Sequence, residues 1–315
     1  MLVQKSYVAA VVQWAPSFAN PQLGAERASD AIRQAAEAGA RLVVFPEAWL
    51  AGYPYFEDLS RHPDYMEAWR RFARGAVAID GPEIGVIAQS ASRHGVEVVI
   101  GVNEASISKA VYNTMVFIGS DGSIRGRHRK FMPTITEKLV WTMGDGSDLD
   151  SHETSCGRLG GLLCYENHMS LARFACCTLG VEVHISMWPG HGFLNSVIDA
   201  NVRQTALENA CFVISAREVM DPSLVPDDFP LLGEPALWRA NGGSAIVAPG
   251  GEYLAGPEFE AETILTATIE LDRILDTKWW VNPDGNYARP DVFQLLWNRN
   301  PKPNVIYQPG LPDEG

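Results

Sequence analysis

The sequence predicts a layered α/β protein. Short apolar runs of strand length recur along it, stretches with helical spacing lie between them, and Gly, Pro or Asp-Gly signals punctuate the two. Each half of the chain runs roughly β-α-β-α-β-β-β without clear residue-level repetition. That alternation is the pattern of sheets covered by helices.

In chain order, Tyr7 to Trp14 reads as a first strand. Leu23 to Ala38 sets Leu23, Ala28, Ala31, Ile32, Ala35 and Ala36 on one helical face, and Gly39 closes that helix. Arg41 to Phe45 is a strand that runs straight into Pro46-Glu47. Tyr65, Met66, Trp69 and Phe72 indicate a helix packed by aromatics, and Pro82 opens another that ends at His94-Gly95. Glu97 to Asn103 and Tyr112 to Gly119 are strands, and Asp121-Gly122 turns into a strand ending at Lys130. In the second half, Leu159 to Leu163 is a buried strand leading through Cys164 to a helix over Ser170 to Leu179, stopped by Gly180. A strand from Val181 to Met187, a helix from Val197 to Ala210 and a strand from Cys211 to Ala216 follow. Strands near Ser244 to Ala248 and Thr263 to Glu270 flank a Pro-Gly-Gly turn. Residues 219–240, with four prolines, form a long irregular loop of the kind that covers a pocket mouth. No composition break appears, so residues 1–297 read as a single domain and 298–315, rich in proline, as an extended tail.

Composition narrows the function classes. Hydrophobic residues make up 46% and charged ones 20% of 315 residues, which suits a globular protein with a sizeable core. A formal charge of −13 argues against nucleic-acid partners and anionic membranes, which want basic patches. No apolar run approaches the roughly 18 residues of a membrane span, and Met1 to Tyr7 lacks the core of a signal peptide. Five cysteines at 156, 164, 176, 177 and 211 are too few and irregular for a disulfide framework, so a reducing cytoplasm is the expected location.

Three groups of chemical interest each follow the end of an expected strand: the Glu47 carboxylate, the Lys130 ammonium and the Cys164 thiol. A parallel sheet would bring such ends to one edge, where α/β proteins tend to hold their chemistry. Helix-start N–H groups beside Cys164 would favour its thiolate. Singly, each has a plain alternative. Cys164 reads as an inert buried thiol, Glu47 as a helix-start carboxylate and Lys130 as part of a solvated basic strand with Arg125, Arg127, His128 and Arg129. His184 and His191 have no further ligands at metal-site spacing, and no Gly-x-Ser-x-Gly, P-loop or dinucleotide fingerprint occurs, so no metal or cofactor is expected.

Together the segments are more specific. Phe45-Pro-Glu47-Ala-Trp-Leu-Ala-Gly52-Tyr53-Pro54 resembles the glutamate motif of the carbon–nitrogen hydrolase (nitrilase) superfamily. His128-Arg-Lys130-Phe-Met-Pro-Thr134 resembles its lysine motif, and Cys164-Tyr-Glu166-Asn167 its cysteine motif. Val140-Trp141-Thr-Met-Gly144-Asp-Gly-Ser147 resembles a turn of the nitrilase branch. The likeness extends from about Val8 to about Trp297.

The resemblance implies a four-layer α-β-β-α sandwich and hydrolysis of a small-molecule nitrile to acid and ammonia. It assigns Cys164 as nucleophile, Glu47 as general base and acid, and Lys130 as stabiliser of developing charge with the Tyr165 N–H. Glu137 matches a second glutamate that orients the lysine. Glu166 and Asn167 either brace the turn or touch substrate. Trp49, Tyr53, Tyr55, Tyr165 and Trp188 adjoin the motifs; of these, Tyr53, Tyr165 and Trp188 are the expected substrate contacts, forming an apolar pocket for a nitrile of modest size. Tyr165 and Ser170 stand where the branch more often has Trp and Pro, which leaves substrate preference open. An amidase or carbamoylase would use the same residues, and a catalytically silent scaffold would not need to keep all three. The resemblance also implies a homo-oligomer built on a dimer through the helices near 168–180 and 197–210, which carry Ala172, Ala175, Cys176 and Ala206.

Overall fold

The computed structural model describes residues 5–234 and 237–302. The first half comprises β1 (Ser6–Gln13), α1 (Pro21–Glu37), β2 (Ala40–Val44), α2 (Tyr65–Arg74), α3 (Pro82–His94), β3 (Glu97–Ala105), β4 (Val111–Ile118) and β5 (Ile124–Arg129). A 3-10 turn over Ile135–Leu139 leads to β6 (His152–Thr154) and β7 (Gly157–Leu163), and a second over Cys164–His168 leads to α4 (Ser170–Thr178). The chain continues through β8 (Val183–Trp188), α5 (Asn195–Glu208), β9 (Phe212–Arg217), β10 (Gly242–Val247), β11 (Tyr253–Phe259), β12 (Thr263–Glu270) and α6 (Arg273–Lys278).

Local chemistry accounts for these boundaries. Asn20 caps α1 by accepting from the Leu23 N–H, Pro21 occupies its first turn, and Gly39 leaves it at φ +88°. Gly95, at φ +64°, ends α3 in the left-handed conformation that only glycine adopts without strain. Both helices turn small and branched residues inward: Ala28, Ala31, Ile32 and Ala35 from α1, and Ile84, Ile87 and Ala91 from α3.

Two six-stranded sheets result, in the orders β12-β1-β2-β3-β4-β5 and β11-β10-β9-β8-β7-β6. Val11, Val44, Val99 and Met115 of the first meet Leu159, Ile185, Met187 and Ile214 of the second in a core between the sheets. The outer face of the first sheet is covered by α1 and α3, that of the second by α4 and α5. This is the α-β-β-α sandwich the resemblance implied. Ala172, Ala175, Cys176 and Ala206, expected at a partner surface, instead face their own sheet and are buried there.

The single parallel edge expected for the three groups is corrected. β2 pairs in parallel with β3, and β5 regains that direction through two antiparallel steps, so Glu47 and Lys130 do share an edge. Cys164 follows β7, in the other sheet. The constellation thus spans the sandwich, with the nucleophile on one layer and its charged partners on the other. Two edge strands, β6 and β11, were not anticipated. The Pro-Gly-Gly turn joins β10 to β11, and β12 crosses to the first sheet to lie antiparallel to β1.

The expected irregular loop after β9 is packed rather than open. Val225, Phe229, Leu231, Leu237 and Trp238 are buried with Phe18, Phe56 and Phe72 beside the segment that follows β2. Its Pro235 lies outside the described residues, as do Pro303, Pro309 and Pro312 of the expected tail. No described helix is long and apolar enough to cross a membrane.

Candidate active site

Each central residue sits just past a strand end, and the backbone there is constrained. Cys164 has φ +48°, and Ala48, after Glu47, has φ +49°. Left-handed backbone at a residue other than glycine stores strain of order 1–3 kcal/mol, and such positions cluster at functional sites. β3 passes directly behind Glu47: a Cβ on Gly101 would lie 2.3 Å from the Pro46 carbonyl oxygen. Glycine at that position lets the strand seat the glutamate turn.

The side chains converge in a closed charge network. Lys130 Nζ donates to Glu47 Oε1 at 2.8 Å and to Glu137 Oε2 at 2.7 Å, and all three residues are buried. Glu137 accepts further from the Thr134 N–H at 2.6 Å and the Tyr53 hydroxyl at 2.7 Å. Asn113 Nδ2 donates to Glu47 Oε1 at 2.7 Å, leaving Glu47 Oε2 buried without a protein partner. Cys164 Sγ and one oxygen from each of Glu47 and Glu137 lie within 4.8 Å of one another. A thiol and two carboxylates are a conceivable cation site, but the Lys130 ammonium already bridges the carboxylates and supplies the positive charge.

Burial raises the Cys164 thiol pKa, Lys130 partly counters it, and the two glutamates push it further up. The expected helix-start thiolate is therefore corrected. Cys164 rests as a thiol, because the Tyr165 N–H facing the sulfur is a smaller influence than desolvation. Burial lifts Glu47 to about 7 against the pull of Lys130. Burial alone would lower Lys130, but Cys164, Glu137 and Glu47 hold it well above its ordinary value, as an ammonium. A neutral thiol beside a buried carboxylate of raised basicity is an arrangement for proton transfer from sulfur to Glu47.

Glu166 and Asn167 brace the turn. Glu166 accepts from the Phe131 N–H at 2.6 Å, the Leu163 N–H at 2.9 Å and His128 Nε2 at 2.9 Å. One buried carboxylate thus ties the backbone after Lys130 to the backbone before Cys164, across the two sheets. Burial would push the His128 imidazole down, but Glu166 and Asp148 hold it up at about 10, so it is a cation here. Asn167 Nδ2 donates to the Leu162 and Cys164 carbonyls, while its oxygen accepts from Ser186 and faces His184 Nε2.

The expected substrate contacts fare differently. Tyr165 is half exposed next to Cys164, with its ring 6.0 Å from His168. Trp188 is buried, donates to Ser186 and lies 5.4 Å from the His168 ring. Tyr53 is buried with its hydroxyl committed to Glu137. Tyr55 donates to a buried glutamate, Glu218, at 2.6 Å, and Trp49 fills the core with its Nε1 on the Trp14 carbonyl. His191 lies edge-on to Tyr53 and Tyr55, and carries the exposed Phe193 ring at 5.1 Å. Asn113, Glu218 and Phe193 had no signal in the local sequence, and His128 read only as part of the lysine motif and of a basic strand. Glu47, Tyr55 and Glu166, the partners of Asn113, Glu218 and His128, are brought in from distant parts of the chain. A separate cavity of about 970 Å³ lies between Phe131, Leu149, Leu171 and Trp297 and includes none of Glu47, Lys130 and Cys164.

Comparison with known proteins bears on the family. The profile of the carbon–nitrogen hydrolase family matches residues 8–278. A nitrilase of Bradyrhizobium diazoefficiens is 38% identical over 304 residues, covering 94% of each chain. An aliphatic nitrilase of Sinorhizobium fredii is 37% identical over 305 residues, covering 95% of this chain and 97% of its own. A Saccharomyces cerevisiae member of branch 10 of the nitrilase superfamily superposes with a TM-score of 0.74 at 18% identity, over 91% of this chain and 99% of that one. The last likeness concerns the fold alone; the profile and the two full-length relatives carry the assignment, and the chain belongs to the carbon–nitrogen hydrolase family.

Proposed function

We propose that this hydrolase is a nitrilase, converting an organic nitrile and two waters to a carboxylic acid and ammonia through covalent intermediates on Cys164. The observation that carries the reading is the convergence of the Cys164 sulfur with the Glu47 and Glu137 carboxylates around the Lys130 ammonium. Similarity to nitrilases over almost the whole chain supports the nitrile as substrate.

The chemistry follows from the groups. Glu47 takes the Cys164 proton as sulfur attacks the nitrile carbon, and the proton passes to nitrogen to give a thioimidate. Lys130 and the Tyr165 N–H stabilise negative charge at the attacked centre. Water then adds, assisted by Glu47, giving a tetrahedral carbon bearing sulfur, oxygen and nitrogen. Protonated Glu47 releases nitrogen as ammonia, leaving a thioester, and a second water frees the acid and restores the thiol. Loss of sulfur instead of nitrogen yields an amide; protonated Glu47 near the nitrogen favours loss of ammonia, so acid is the main product and amide a minor one.

An amidase or carbamoylase would enter at the same tetrahedral species with the same residues. The assay that separates them supplies a nitrile and its matching amide in separate reactions and follows acid, amide and ammonia. Rapid amide hydrolysis with untouched nitrile would overturn the nitrilase reading and leave Cys164 as nucleophile. The aromatic surroundings of Tyr165, Trp188, His191 and Phe193 favour an apolar aliphatic or arylaliphatic nitrile. Five free, buried cysteines suit a reducing cytoplasm. Exposed Leu171 on α4 and Val197 on α5, the two helices that cover the second sheet, favour a dimer through that face.

A further inference from the structure

Beyond the central residues, the wall of the site holds a second acid whose protonation is constrained by geometry. Glu57, in the segment after β2, places Oε1 3.3 Å from the Tyr53 hydroxyl oxygen, while the same hydroxyl lies 2.7 Å from Glu137 Oε1. Tyr53 has one proton to give and two carboxyl groups in reach. Glu137 is bound to the Lys130 ammonium and is the nearer of the two, so it receives that proton. The Tyr53–Glu57 contact is then attractive only if Glu57 carries a proton of its own and gives it to the Tyr53 oxygen. Glu57 Oε2 is buried without a protein partner, which costs a carboxylate more than a neutral acid.

We propose that Glu57 is a positioning residue: in its protonated form it donates to the Tyr53 oxygen, which commits the Tyr53 proton to Glu137 and fixes Glu137 against Lys130. This rests on the Glu47–Lys130–Cys164 chemistry proposed above. The groups that bear on Glu57 are its own backbone N–H, Tyr53, Asp58, Glu137 from the 3-10 turn, and Tyr65 from the start of α2. Apart from the N–H these are acids and phenols, and no cation is among them. Burial first, then the Glu137 and Asp58 charges, raise Glu57 to about 8. As pH rises through that value, the Glu57 carboxylate competes for the Tyr53 proton. Glu137 then loses one of its three donors, and Lys130 loses its fixed seat beside Glu47.

The test compares kcat against pH for the parent and Glu57→Gln, on whichever nitrile or amide is turned over. In the parent, kcat falls as pH rises through about 8. Glutamine keeps a donor in the same place but cannot ionise, so Glu57→Gln holds kcat within about tenfold of the parent near neutral pH and loses the alkaline fall. KM stays close to the parent's in the variant, since Glu57 does not touch substrate. An alkaline fall with the same midpoint in Glu57→Gln would overturn the proposal. A second reading needs no substrate and is independent of the assigned reaction: the infrared carbonyl stretch of protonated carboxyl groups. Glu218, also buried and raised to about 8, contributes to that band, so the quantity read is the difference between proteins. A smaller band in Glu57→Gln than in the parent at neutral pH supports the assignment, and equal bands refute it.

Discussion

Glu166→Gln tests whether one buried carboxylate holds the two halves of the site in register. Three donors point at Glu166: the Phe131 N–H, the Leu163 N–H and the His128 imidazolium. A glutamine oxygen in the position of Oε2 keeps the Leu163 and His128 contacts, but its NH₂ then faces the Phe131 N–H, donor to donor. One unmet buried donor costs about 1–3 kcal/mol, and removing the charge opposite a buried cation brings the total to roughly 3–5 kcal/mol. With unfolding entropy scaling with chain length, that corresponds to a Tm lower by about 5–8 °C. Phe131 adjoins Lys130 and Leu163 adjoins Cys164, so the freed backbone shifts ammonium and sulfur relative to each other. A displacement near 1 Å costs about 100-fold in rate. Thermal melts and steady-state ammonia release read both quantities. A Glu166→Gln protein with the parent's Tm and a kcat within about threefold would refute this account of the brace, since about 100-fold is expected.

Cys164→Ala abolishes turnover with the fold intact by circular dichroism, and mass spectrometry of the parent under substrate traps an adduct on Cys164 that the variant lacks. Glu47→Gln and Lys130→Ala each lower kcat by about 10²–10⁴ or more, read by ammonia release. Because Glu47 must be ionised to accept the thiol proton and its pKa is raised to about 7, kcat/KM falls as pH drops through that value. Light scattering at micromolar concentration gives a mass of two or more chains, and Leu171→Asp on the exposed face of α4 reduces it.

Much of the architecture was legible because helix and strand periods differ and are visible residue by residue. The helix after Pro21, the strand before Glu47 and the strand before Cys164 appeared within a few residues of their expected limits. β11 was not legible: it carries Gly256 and Pro257, is largely exposed and lies at a sheet edge, where proline is tolerated and the apolar alternation disappears. β6, at the opposite edge, is only three residues long. The motif residues were legible as chemistry but not as geometry. No local pattern tells that Cys164 approaches Glu47 from the other sheet, or that burial outweighs the helix start in setting the thiol. Nor does sequence spacing reveal why His128 is charged, since its partners Asp148 and Glu166 are gathered only by the packed sheets.

The crossing of β12 bears on how the chain matures at the ribosome. β1 is synthesised well before one of its two neighbours, β12, with Ser6 opposite Glu270. At roughly 5–20 residues per second, β1 waits on the order of tens of seconds with that flank unpaired. The unpaired N–H and C=O groups along that edge are meanwhile open to other nascent chains. Any interruption of translation before Glu270 leaves the first sheet one strand short, whatever the state of the residues that do the chemistry. A nucleophile, base and ammonium all made by residue 164 thus depend on the last strand of the sandwich before they belong to a finished molecule.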